Sequence, residues 1–179
     1  MSLSDIRALT FDTGGTILDW HSGFSRALAA VGATHGVERD WNDLANDIRR
    51  KGLGKVVNLG KDVPPEYNFD GAHRMALEEV IAEQSLEVFS DAQRYAIAYD
   101  APHNFECWPD FPLVLPKLPA KYICASFTIL SFRIIMDTAR RNGLSRDAVF
   151  SCEAIGKYKI LPEAYDTVAQ HLKLDASQI

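Results

Sequence analysis

Residues 9–20, LTFDTGGTILDW, constrain the fold of this chain more than any other stretch. A short, mostly apolar run over residues 6–11 halts at Asp12 and meets Gly14 and Gly15, as a buried parallel strand does on entering a functional loop. A helical pattern follows, with Phe24, Leu28 and Val31 recurring on one face. The next strand-like run comes only at residues 122–125, YICA. It too leads into a helix, carried by Leu130, Ile134, Ile135 and Thr138 and ending at Asn142-Gly143. Residues 148–151 predict a third strand, and Pro162 opens a helix through Glu163, Tyr165, Val168 and Leu172.

Between Trp20 and Trp108 the pattern is helical throughout. Asp40 is positioned to cap a segment through Leu44 and Ile48, Asp70 one through Met75, Leu77 and Ile81, and Ser90 one through Tyr95 and Ile97. Residues 63–67, VPPEY, are the most linker-like piece. The expected fold class is therefore α/β. A Rossmann-like parallel-sheet core over residues 1–19 and 106–179 carries an inserted all-helical cap over residues 20–105.

A chain of 179 residues with 47% hydrophobic content can bury a core without disulfide staples. Its formal net charge of −5 argues against nucleic acid or an anionic membrane as partner, so a small molecule is expected. No apolar run approaches the roughly 18 residues of a membrane span, and the first residues lack a secretory pattern, so a cytoplasmic protein is expected. Cys107, Cys124 and Cys152 form no CxxC pair and read as buried reduced thiols. His21, His35, His73, His103 and His171 lack metal-ligand spacing and read as surface or loop residues, leaving no metal site predicted.

Two motif readings fail on their chemistry. Asp12-Thr13-Gly14 matches the aspartic-protease tripeptide, but such a dyad needs a second carboxylate on a strand-rich scaffold, and this chain is helix-rich with one copy. The segment GLGKVVNLGKD suggests a phosphate-binding loop, yet five residues separate Gly54 from Gly60 and Asp62 follows Lys61.

With Asp12 at a strand end, Gly15-Thr16 three residues on, and a helical insert before the second strand, the chain resembles the haloacid dehalogenase superfamily. It looks most like the type II 2-haloacid dehalogenase branch. The anchors are FDTGGTILDW, the strand-end CASFT, and GKYKILPEAY, which resembles the family's Tyr-Lys-Pro-x-x-x-x-Tyr stretch. The resemblance implies Asp12 as nucleophile, Thr16 as the hydroxyl steadying it, and Lys159 as the cation that keeps it ionised. It implies substrate binding by Gly15, Ser126 and Tyr165, with Ser126 holding a carboxylate. Arg49 of the cap would receive halide, with Arg50 adjacent to it. No cofactor is implied, and a homodimer is left open.

The residue two after the nucleophile separates the chemistries. Superfamily phosphatases carry a general-acid aspartate there; here the position is Gly14, which favours attack on carbon. Hydrolysis of small 2-haloacids to 2-hydroxy acids through an aspartyl ester is expected. The alternatives are a Mg²⁺-dependent phosphonatase or phosphatase, which needs further acidic ligands, or a truncated non-catalytic member. The sequence departs from the pattern in having Ser126-Phe127 where Ser-Asn is usual and Ile160 where proline is usual. Pro116 and Pro119 should break the helix preceding the second strand, since proline costs about 3 kcal/mol inside one. The final LDASQI resembles the segment before a fourth strand, so the C-terminal part of the core, with its acidic fourth motif, is expected to be missing.

Overall fold

The computed structural model describes residues 4–57, 69–118 and 120–179. The linker-like residues 63–67 and Pro119 lie outside them. Strand β1 (Ala8–Phe11) pairs in parallel with β2 (Ile123–Thr128), and β2 pairs in parallel with β3 (Ala148–Ser151). The central strand is buried at every position after Ile123, as a parallel strand covered on both faces must be.

Among the described residues, five helices lie between β1 and the second half of the core: α1 (Trp20–Thr34), α2 (Trp41–Val57), α3 (Phe69–Gln84), α4 (Asp91–Tyr95) and α5 (Ala101–His103). The core continues through α6 (Phe111–Val114), α7 (Phe132–Asn142), α8 (Cys152–Ile155) and α9 (Pro162–Leu172), giving a Rossmann-like α/β unit with a helical cap. The chain leaves the core and returns to it side by side. Asp19 N donates to Glu106 O at 2.8 Å, and Trp108 N to Ile17 O at 2.9 Å.

Local chemistry explains most boundaries. The Asp19 carboxylate accepts from Ser22 N to start α1, Asp40 accepts from Asn42 N and Asp43 N to start α2, and Ser90 forms a capping box with Gln93. Ser131 caps α7, whose end is closed by Gly143 at φ 64°. Pro112 and Pro116 limit the segment before β2 to α6 and one 3₁₀ turn, Leu115–Lys117.

Four expectations are corrected. The second strand does not stop at residue 125. Phe127 and Thr128 pair with Phe150 and Ser151, which extends the ladder, so Ser126 sits inside β2 and Thr128 ends it. Asp70 does not cap α3, which already begins at Phe69; its carboxylate instead accepts from Ser131 Oγ at 2.8 Å and faces His103 Nε2 at 3.2 Å. His73 and His103 are buried rather than on the surface, because aromatic rings and carboxylates surround them. The helix starting after Ser90 is not continuous either. Pro102 has no N–H to bond back along the helix, and residues Ala96–Asp100 widen into a π turn in which Ala101 N–H reaches Ala96 O. Cys124 and Cys152 are buried free thiols, while Cys107 is partly exposed.

The junction between α1 and the returning chain is packed to contact. A Cβ at Gly23 would stand 2.3 Å from Phe105 Cδ1, inside the van der Waals limit, and Phe105 is itself locked against Phe24. A Gly23→Ala change gains about 1 kcal/mol of helix propensity, but overpacking a core costs about 1–3 kcal/mol. The clash should win, so urea unfolding of Gly23→Ala should show a midpoint below that of the wild type with an unchanged m value.

Candidate active site

Asp12 follows the last residue of β1, and its two oxygens are bound separately. Thr16 Oγ1 donates to Oδ2 at 2.8 Å, and Lys159 Nζ donates to Oδ1 at 2.9 Å. Lys159 also donates to Phe127 O at 2.9 Å and lies 5.1 Å from the Phe127 ring centroid. One ammonium thereby ties the ends of β1 and β2 to the segment between α8 and α9. The Asp12 side chain is 41% exposed and that of Lys159 20%, so the carboxylate remains open to an incoming molecule.

The loop after Asp12 closes on itself. Ile17 N and Leu18 N both donate to Thr13 O at 3.0 Å, and Gly15 N donates to Leu18 O at 3.0 Å. Gly15 adopts φ 101°, a backbone region that glycine occupies readily. A side chain there would also meet Trp20 Nε1 at 3.0 Å. Trp108 Nε1 donates to Gly15 O at 2.9 Å and fixes the turn from the returning chain.

Arg49 reaches the same loop from α2. Its Nη2 donates to Gly14 O at 3.2 Å, and its guanidinium lies 5.4 Å from the Trp20 ring centroid and 5.5 Å from that of Phe69. Burial lowers its pKa from the ordinary arginine value, with the Asp12 carboxylate opposing. Arg50, by contrast, points outward and pairs with Asp47 at 2.7 Å. A Cβ on Gly14 would stand 3.3 Å from Arg49 Nη2 and 3.7 Å from Leu130, so this position lies between the cap cation and the core.

The structure thus brings Asp12, Thr16, Gly15, Arg49 and Lys159 together. Ser126 is placed otherwise. It is fully buried in β2 opposite Phe11, and its hydroxyl has no hydrogen-bond partner. Strand alternation turns it to the face opposite Phe127, whose backbone holds Lys159. Tyr165 is 53% exposed and packs edge-on against Phe127 at 4.9 Å, the ring that also lies near Lys159. Cys152 lies close enough to be affected by Lys159, yet burial pushes its thiol up to about 11, leaving it protonated.

Sequence reasoning missed three groups that shape the site. Trp108 could not be assigned because its partner Gly15 is 93 residues away. Phe69 carries no sequence mark that would tie it to Arg49. Thr128, which ends β2 and accepts from Leu130 N at 3.2 Å, was hidden by ending the strand early. Among the described residues, no group of three His, Cys, Asp or Glu side chains lies close enough to hold a metal ion, and no helix is long and apolar enough to cross a membrane.

No protein-family model matches the chain, and no curated protein matches it. Solved structures do. A defluorinating L-2-haloacid dehalogenase superposes with a TM-score of 0.86 at 27% identity, over 99% of this chain and 74% of that one. A second L-2-haloacid dehalogenase gives 0.83 at 26% identity, over 94% of this chain and 72% of the other. The L-2-haloacid dehalogenase from Xanthobacter autotrophicus gives 0.77 at 22% identity, over 97% of this chain and 67% of that chain, a likeness of fold. With the strand-end carboxylate, the helical cap and these matches, the chain is a haloacid dehalogenase superfamily protein, similar to the 2-haloacid dehalogenases.

Proposed function

We propose that the protein hydrolyses small 2-haloacids to 2-hydroxy acids through an aspartyl ester on Asp12. The observation that carries this reading is the pair of cations facing one carboxylate: Lys159 bonded to Asp12 at 2.9 Å, and Arg49 held over the adjacent Gly14. Two structures above 25% identity that superpose on nearly the whole chain are L-2-haloacid dehalogenases, which supports the same chemistry.

The steps follow from the groups present. A carboxylate displaces halide only if it is ionised and aligned behind the carbon–halogen bond. Lys159 and Thr16 hold both Asp12 oxygens in place. One Asp12 oxygen attacks C2 of the haloacid, the carbon–halogen bond breaks, and the halide leaves with the bonding pair. Arg49, partly desolvated and above the loop, stabilises the departing anion. Water then adds to the Asp12 carbonyl carbon and the acyl–oxygen bond breaks. The original aspartyl oxygen departs as the product hydroxyl, the water oxygen stays on Asp12, and one proton is released to solvent. Lys159 lies where charge accumulates on Oδ1 in that second step.

Gly14 and Lys159 disfavour the Mg²⁺-dependent phosphatase reading. The general-acid position carries no side chain, and the ammonium occupies the oxygen that a divalent cation would share. The described residues around Asp12 therefore do not fit a Mg²⁺ site.

Wild type should release halide from a small 2-haloacid such as 2-chloropropionate, and Asp12→Asn should abolish release while its thermal midpoint stays within about 2 °C. Halide release that survives Asp12→Asn would overturn the mechanism. Lys159→Met keeps the apolar stem against Phe127 and removes the charge, so kcat should fall about 100-fold in a halide assay. Gly14→Asp places a carboxylate beside Arg49, which should lower dehalogenation at least about tenfold without producing phosphate release from a phosphomonoester.

A further inference from the structure

Asp70, His103, Ser131 and Asp137 form a largely enclosed polar cluster joining cap and core, with His103 and Ser131 buried at its centre. His103 Nδ1 lies 2.8 Å from Asp137 Oδ2 of α7, and its Nε2 lies 3.2 Å from Asp70 Oδ1 of α3. Ser131 Oγ donates to Asp70 Oδ2 at 2.8 Å while accepting from Ile134 N at 3.2 Å, so one hydroxyl both caps α7 and grips the cap. Arg133 Nε donates to Asp137 at 2.7 Å. Tyr99 stacks on the imidazole at 4.2 Å, and the π turn beside Pro102 leads into the helical end that carries His103. Two carboxylates flank one imidazole in a largely enclosed position, with side-chain exposures of 6%, 11% and 22% for His103, Asp70 and Asp137.

The cluster is wired to the loop from both sides. Asp70 is next to Phe69, whose ring lies under the Arg49 guanidinium. Ser131 is next to Leu130, which touches the space beside Gly14. Fixing Asp70 to Ser131 therefore fixes the shelf beneath Arg49 relative to the wall beside the nucleophile loop. We infer that Asp70 and His103 are positioning residues, an imidazole bridging two carboxylates and latching the cap to the core so that Arg49 is held over the loop that follows Asp12.

The latch has a sign and a window. Burial opposes the charge on His103, but its hydrogen bonds to Asp70 and Asp137 outweigh it and raise the pKa above the ordinary 6.5. The bond to His103, then that to Arg133, hold Asp137 below the ordinary carboxylate value, against burial. The titratable groups facing His103 are Asp70 and His73 from α3 and Asp137 from α7, the last also bonded to Arg133, with Tyr99 from its own segment. His73 is uncharged, since burial, then the nearby Arg49, lowers it to about 3. Phe24 of α1 packs on Phe105 just beyond, an apolar contact. A raised histidine pKa means that the contribution is complete below about pH 6.5 and is lost as pH rises through the folded-state value. The lowered pKa of Asp137 means that its share is lost only on strong acidification.

The inference rests on the reading of Arg49 as a working residue, but its test does not require turnover. Native-state hydrogen exchange should be compared for wild type, His103→Gln and Asp137→Asn near pH 6, with the wild type also followed to about pH 9 after correction for intrinsic rates. Both variants should raise exchange of residues 12–18 and 69–75 about tenfold and leave residues 162–172 unchanged. In wild type the same segments should lose protection as pH rises, with a midpoint matching the NMR titration of the His103 ring; in His103→Gln that pH dependence should vanish. If residues 12–18 keep wild-type protection in both variants, or if the His103→Gln profile retains the wild-type midpoint, the latch is overturned. If wild type turns over no haloacid while the exchange pattern holds, the dehalogenase reading fails and the latch stands. If turnover is seen, His103→Gln should lower kcat by a larger factor than it raises KM, because Arg49 acts on the departing halide.

Discussion

Everything at the sheet end is arranged around the contact between Lys159 and Asp12. The ammonium also bonds the Phe127 carbonyl, so a single side chain from the segment before α9 gathers the ends of β1 and β2. Its energetic value as a surface ion pair is small, about 1 kcal/mol or less once solvent screening is allowed for, because Asp12 is 41% exposed. Its importance is geometric. With Thr16 on the other oxygen, the carboxylate has no free rotation left, and a nucleophile that must approach carbon along one line benefits from that restriction.

Arg49 sits at the opposite extreme of cost. A guanidinium taken out of water needs partners, and among the described residues it has one backbone carbonyl and two aromatic rings rather than a carboxylate of its own. Such a cation is under-neutralised, as its lowered pKa reflects. The cost is borne by packing elsewhere in the cap, through the apolar faces of α1, α2 and α3. This arrangement suits an anion that arrives and leaves, since a permanent carboxylate partner would compete with it.

How much of this was legible in the sequence depends on distance along the chain. Asp12, Gly15 and Thr16 share one loop, whose place after a short apolar run was legible from the residues, while the nucleophile role came from the resemblance. Lys159 and Arg49 could be named because the stretches around them resemble a known pattern, although they lie far from Asp12 in sequence. Ser126 was misjudged at the level of the strand. Ile-Cys-Ala-Ser-Phe-Thr suits a buried strand at every position, so periodicity offers no stopping point, and only the pairing of Thr128 with Ser151 marks the end. The burial of His73 and His103 was illegible for a different reason. Nothing local marks a histidine as enclosed, and the partners of His103 lie 33 and 34 residues away in sequence on separate helices.

The charge of the whole chain and the charge of the site have opposite signs, and the difference bears on the kind of ligand proposed. The chain carries a formal −5, which at long range repels anions. At physiological ionic strength that field decays over about 8 Å, whereas Lys159 and Arg49 act at contact distance on a loop bearing one carboxylate. The local balance of two cations to one anion therefore prevails once a ligand has entered, and it calls for a ligand with a single negative charge. A doubly charged phosphate would leave the site with excess negative charge and no acid at Gly14 to protonate its leaving group. A monoanionic acid with its own departing anion, as in the proposed reaction, would restore neutrality on binding and give Arg49 a partner as the halide separates.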